Sequence, residues 1–105
     1  MRKVVLSKRA SIRLEKLLEF LESEWSISVK KDFIIKLDKA LSLIKKFPES
    51  SKRSKISKGL HQLIVTKQTS LYYRFDSKSI QIVAIFDNRM NPEKINKEIN
   101  PSPLI

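Results

Sequence analysis

Hydrophobic residues recur along this chain with two different periods, and the change from one to the other divides it. Arg2 to Leu6 holds a short apolar run, Val4-Val5-Leu6, that predicts a first strand. Ser7 is a suitable helix N-cap. From there Ala10, Leu14, Leu17, Leu18, Leu21 and Trp25 return at helical spacing, with Lys8, Arg9, Arg13, Glu15, Lys16, Glu19, Glu22 and Glu24 between them. This predicts an amphipathic helix with one buried stripe and Trp25 as a core anchor at its end. Ser26 to Ser28 interrupts the pattern. Ser28 is the expected cap of a second helix, with Asp32 in its first turn near the positive end of the helix dipole. Phe33, Leu37, Ala40, Leu41 and Ile44 form the second stripe, and Pro48 stops it. The short link between the helices predicts an antiparallel hairpin.

The period then changes. Glu49 to Lys58 is polar and basic and is expected to be a surface loop. Gly59, the only glycine, can supply a backbone angle that other residues resist. Leu60 to Val65, Ser70 to Asp76 and Ile80 to Phe86 form a meander. In its middle strand Leu71, Tyr73 and Phe75 alternate with Tyr72, Arg74 and Asp76, the period of a sheet covered on one face. Ile80 to Phe86 is apolar almost throughout, as in a strand buried on both faces. Pro92 can open a last short helix, Glu93 to Ile99. The predicted order is β-α-α-β-β-β, an α+β fold whose antiparallel sheet carries a helical hairpin on one face. Residues 1–99 are expected to be a single domain and residues 100–105 a C-terminal tail.

Composition narrows the chemistry. A chain of 105 residues with 41% apolar content can bury a modest core. It has no cysteine, which removes disulfides, cysteine–zinc sites and thiol nucleophiles. No glycine-rich phosphate loop, metal-ligand cluster or Ser/His/Asp arrangement is visible, so no cofactor and no metal are expected. The basic start is followed by too few apolar residues for a signal peptide, and no run reaches membrane-spanning length; a cytoplasmic protein without a membrane partner is expected. Twenty-two Lys and Arg against eleven Asp and Glu give a net charge of +11. Such a surface attracts RNA, DNA or an acidic protein.

The order of elements, with several local sequences, resembles the RelE/ParE superfamily of bacterial type II toxin–antitoxin toxins. The likeness runs from about Val4 to Asn91. It is carried by the opening Val-Val-Leu-Ser with its Ala-x-x-x-Leu helix, by Phe47-Pro48 closing the second helix, by Tyr72-Tyr73-Arg74, and by Ile85-Phe86-Asp87-Asn88-Arg89-Met90-Asn91-Pro92. The resemblance implies a growth inhibitor, in some members tied to plasmid stabilisation, held inactive in a hetero-oligomer by a cognate antitoxin. That antitoxin is expected to be acidic by charge complementarity. ParE-like members poison DNA gyrase. RelE-like members cut mRNA on the ribosome without metal, so the resemblance leaves open whether the chain is an enzyme.

Arg89 falls at the family's turn arginine, where it binds phosphate or steadies a transition state; alternatively it forms a salt bridge with Asp87 or Glu93. His61, the only histidine, is the side chain expected to titrate near neutral pH and can serve as acid or base, or simply sit half-buried. Tyr72 and Arg74 are expected on the open face, stacking a base and pairing a phosphate, contacting the antitoxin, or touching each other. Tyr73 is assigned to the core. Lys52, Arg53, Lys55, Lys58 and Lys67 form a basic rim that steers a polyanion, or a solvated loop, and Asn88 joins Tyr72, Lys67, Lys55 and Lys58 as a target-binding candidate. His61, Arg74 and Arg89 are the catalytic candidates of the nuclease reading. The strand that carries paired lysines in RelE reads Leu60-His61-Gln62-Leu63-Ile64 here. The strand arginine position falls at Ser70 and the C-terminal tyrosine position near Ile95. These departures favour a ParE-like target over RelE-type cleavage. A toxin-fold module without activity is the third reading.

Overall fold

The computed structural model describes residues 2–53 and 59–89, the side chain of Lys52 excepted. Strand β1 (Lys3–Leu6) leads into helix α1 (Lys8–Glu24) and helix α2 (Ile27–Lys46). A single 3₁₀ turn (Pro48–Ser50) and a two-residue strand β2 (Lys52–Arg53) follow. Strands β3 (His61–Ile64), β4 (Thr69–Phe75) and β5 (Ser79–Asp87) complete one five-stranded sheet in the order β1-β5-β4-β3-β2. The expected last helix, Glu93 to Ile99, and the tail lie outside the described residues.

The α+β arrangement with a helical hairpin on one face is as expected, but the sheet is mixed rather than antiparallel. β1 runs parallel to β5, Val4 facing Ile80 and Leu6 facing Ile82, while β2 to β5 pair antiparallel. The apolar run of a single strand carries no information on its partner's direction, and a parallel pair needs a long crossover, here supplied by everything from α1 to β4. Part of the predicted loop after Pro48 is also ordered, since Lys52 and Arg53 pair with Gln62 and His61.

The N-caps explain the hairpin. Ser7 Oγ accepts the Ala10 amide at 3.0 Å, and Ser26 Oγ accepts the Val29 amide at 3.0 Å. The second cap is therefore Ser26 and not Ser28, and α2 begins earlier than its apolar stripe suggests. Asp32 lies beyond the first turn and pairs with Lys36 at 3.0 Å. Trp25 does not anchor the core. It caps α1 with φ −124° and ψ −89°, which swings it off the buried stripe and leaves it 58% exposed.

The core lies between hairpin and sheet: Ala10, Leu17 and Leu21 of α1 and Phe33 and Ile44 of α2 meet Leu63, Leu71, Tyr73, Ile80, Ile82 and Ile85. Tyr73 donates its hydroxyl to the Pro48 carbonyl at 2.6 Å, fixing the end of α2 to the sheet. A bulge shifts the register between Tyr72, opposite Ala84, and Tyr73, opposite Ile82. The extra residue, Val83, lets Ile82 and Ile85 both face the helices. Gly59 takes φ +83°, the left-handed angle expected of it.

Candidate functional site

The end of β5 is built around a buried carboxylate. Asp87 lies opposite Thr69, and the Thr69 hydroxyl donates to Asp87 Oδ2 at 2.6 Å. Arg89 closes the turn by donating its backbone amide to Oδ1 at 2.9 Å, Nε to Oδ1 at 2.8 Å and Nη2 to Oδ2 at 2.5 Å. The Asp87 side chain is fully buried and that of Arg89 is 19% exposed. Burial pushes the Asp87 carboxyl up, but the Arg89 side chain, the Thr69 hydroxyl and the Arg89 amide more than offset it, leaving the pKa below the ordinary carboxylate value. The same hydrogen bonds raise Arg89. The Arg89 guanidinium also lies over the Trp25 ring, 5.6 Å from its centroid.

This corner gathers three elements. The Asn88 amide donates to the Gln68 carbonyl at 2.7 Å, tying the turn after β5 to the turn between β3 and β4, where Lys67 is exposed. Thr66 Oγ1 shapes that turn by accepting the amides of Gln68 and Thr69, both at 3.1 Å. Arg89, Asn88 and Lys67 therefore come together, with the exposed Trp25 ring against the Arg89 guanidinium. The sequence reading missed Trp25 and Thr69 as members. Asp87 was legible as the salt-bridge partner of Arg89.

The other candidates lie elsewhere. His61 faces the helix side of the sheet opposite Tyr73, stacked on that ring at 5.4 Å and tilted against Phe75 at 5.3 Å. Its Nδ1 lies 3.1 Å from the Ser51 carbonyl oxygen. Arg74 is exposed on the opposite face, across from Gln81. It sits five residues along β4 from Thr69, the partner of Asp87, so about 17 Å separates the two ends. His61, Arg74 and Arg89 are thus divided between two faces and two ends of the sheet. Tyr72 is not on an open surface; it is only 4% exposed, clustered with Leu60 and Ala84, and burial raises its pKa. Arg53 is exposed on β2, and Lys55 and Lys58 lie outside the described residues. Among the described residues no group of three or more His, Cys, Asp or Glu could hold a metal ion.

No family model and no curated protein matches the chain. Solved structures do. A chain of the chromosomal ParDE TA system from P. aeruginosa superposes with a TM-score of 0.69 at 15% identity, over 83% of this chain and 96% of that one. The conserved hypothetical protein HP0894 from Helicobacter pylori superposes with a TM-score of 0.55 at 21% identity, over 85% and 97%. The chain has the RelE/ParE-type fold. Both likenesses span nearly the full length of the matched chains, so the two helices and the sheet, rather than one motif, are what is shared.

Proposed function

We propose that the chain is the toxin of a bacterial type II toxin–antitoxin pair, a growth inhibitor of the cytoplasm neutralised by an acidic cognate antitoxin. The observation that carries this reading is the near-complete structural match to a chain of a ParDE TA system. Fold likeness alone does not choose a target, so the choice within the superfamily rests on the site.

The site favours a ParE-like protein target, DNA gyrase, over mRNA cleavage. In Arg89 the Nε and Nη2 donors are held by Asp87, whose carboxylate neutralises the guanidinium and makes it a weaker phosphate ligand. Metal-free RNA cleavage needs a base, an acid and cations converging on one phosphate. His61, Arg74 and Arg89 do not converge. An exposed tryptophan stacked by a charge-neutralised arginine has the composition of a protein-binding hot spot. We assign Trp25, Arg89 and Asn88 to target contact on that ground.

The test is a supercoiling assay with purified chain, DNA gyrase and relaxed plasmid. Gyrase inhibition is expected from the wild type, reduced at least tenfold by Trp25→Ala and unchanged by His61→Ala. Unaffected gyrase, with mRNA cleaved on added ribosomes and cleavage lost in His61→Ala, would replace this target with the ribonuclease one.

A further inference from the structure

Helix α2 turns three isoleucines outward. Ile27, Ile34 and Ile35 are 57%, 41% and 54% exposed, while Phe33 and Ile44 of the same helix are buried. At 3.6 residues per turn, Ile27, Lys31, Ile34, Ile35, Asp38 and Ser42 share one face, turned away from Phe33 and Ile44, and all six are exposed. A single exposed apolar residue is ordinary. Three at i, i+7 and i+8 on one helix make a stripe, and a stripe of this kind marks a contact surface.

The two charges within the stripe lack partners. Asp32 pairs with Lys36 and Glu22 with Lys30, but among the described residues Lys31 and Asp38 enter no ion pair. They stand two turns apart, about 10 Å along the axis and beyond the i,i+4 reach of pairs within a helix. Their placement is self-complementary. A second α2 laid antiparallel, with the two-fold axis between Ile34 and Ile35, sets Lys31 of one copy across from Asp38 of the other. The same axis sets Asp38 across from Lys31, because a two-fold contact is made twice. It also gathers Ile34 and Ile35 of both copies at the centre and puts each Ile27 near Leu41 and Ser42 of the other copy. The reciprocal charges then fix the register of the pair.

We infer that this face of α2 pairs with the same face of a second copy of the chain, forming an antiparallel two-fold dimer. Charge chooses the occupant. The chain carries +11, yet the stripe holds one cation and one anion, so neither a nucleic acid nor an acidic helix is favoured there. Lys45 and Lys46 lie past its end, in the last turn, where they complement the helix dipole. Repulsion between two basic copies is largely screened beyond about 8 Å at physiological salt. One helix pair makes a small interface, so the dimer is weak and forms with rising concentration. The inference does not rest on the toxin reading or on the choice of target.

The test is the mass of the full chain by sedimentation at physiological salt, from about 1 to about 300 µM. Mass should rise from one chain to two across this range. Lys31→Asp alone and Asp38→Lys alone each put two like-charge contacts into the interface and should weaken association at least tenfold. Net charge by itself predicts otherwise, since Lys31→Asp lowers the repulsion between copies and would strengthen association. Both changes in one chain, or a mixture of the two single variants, restore opposite charges at both contacts and should return the affinity to within threefold of wild type. Ile34→Ser with Ile35→Ser leaves the charges in place and should abolish the dimer. Thermal melts show that the variants fold, all four positions being exposed. The mass of one chain at every concentration would overturn the inference. So would a dimer indifferent to the single charge reversals, one that neither the double variant nor the mixture restores, or one that survives the loss of both isoleucines.

Discussion

Asp87 is the residue on which the candidate site depends. It is fully buried, accepts from Thr69 and holds the guanidinium that lies over Trp25. Its folded pKa is below the ordinary value near 3.8, so its stabilising contribution is present above that value and is lost as pH falls through the lower, folded one. Asp87→Asn should cost about 2–3 kcal/mol at neutral pH, the scale of hydrogen bonds to a charged group, and flatten the acid limb of the stability curve. Urea unfolding between about pH 2 and pH 7 checks both, and a variant with the wild-type acid limb would remove Asp87 as its cause. Tyr73 is the second such residue. Tyr73→Phe leaves the Pro48 carbonyl without its 2.6 Å partner and should cost about 1–2 kcal/mol, read as a shifted denaturation midpoint with unchanged slope. The core role of Tyr73 was legible from alternation alone. That of Tyr72 was not, because alternation names a face and not what fills it; Leu60 and Ala84, distant in sequence, make the second cluster.

At the scale of elements, the stripes of α1 and α2 and the three long strands could be read from period alone, and their ends could not. Ser26 and Ser28 are equivalent as letters; the backbone chose Ser26, extended at φ −170° and ψ 166°. Ser26→Ala should therefore cost about 1 kcal/mol in chemical denaturation while Ser28→Ala changes stability by less than about 0.5 kcal/mol. The reverse order would move the cap. Trp25 shows why the site was only half legible. It continues the Leu17–Leu21 spacing, yet the helix stops at Glu24, and one residue of non-helical backbone turns a core position into a surface one. The parallel pairing of β1 and the short β2 were hidden for a related reason, since both are set by partners far along the chain.

Over the whole molecule, the structure separates residues that the sequence groups as one catalytic set. The Trp25–Arg89 corner lies at the end of β5, and His61 and Arg74 lie on opposite faces toward the other end. A net charge of +11 describes the sum and conceals the arrangement. The central claim, a toxin that stops growth without cutting RNA, is tested most directly by inducing this chain alone in a bacterial host. Growth, mRNA integrity and a DNA-damage reporter are followed together. The account predicts arrest within a few generations, intact mRNA and an activated reporter, with arrest lost in Trp25→Ala and kept in His61→Ala. Uninterrupted growth of cells that accumulate the folded chain, or arrest with fragmented mRNA, would contradict it.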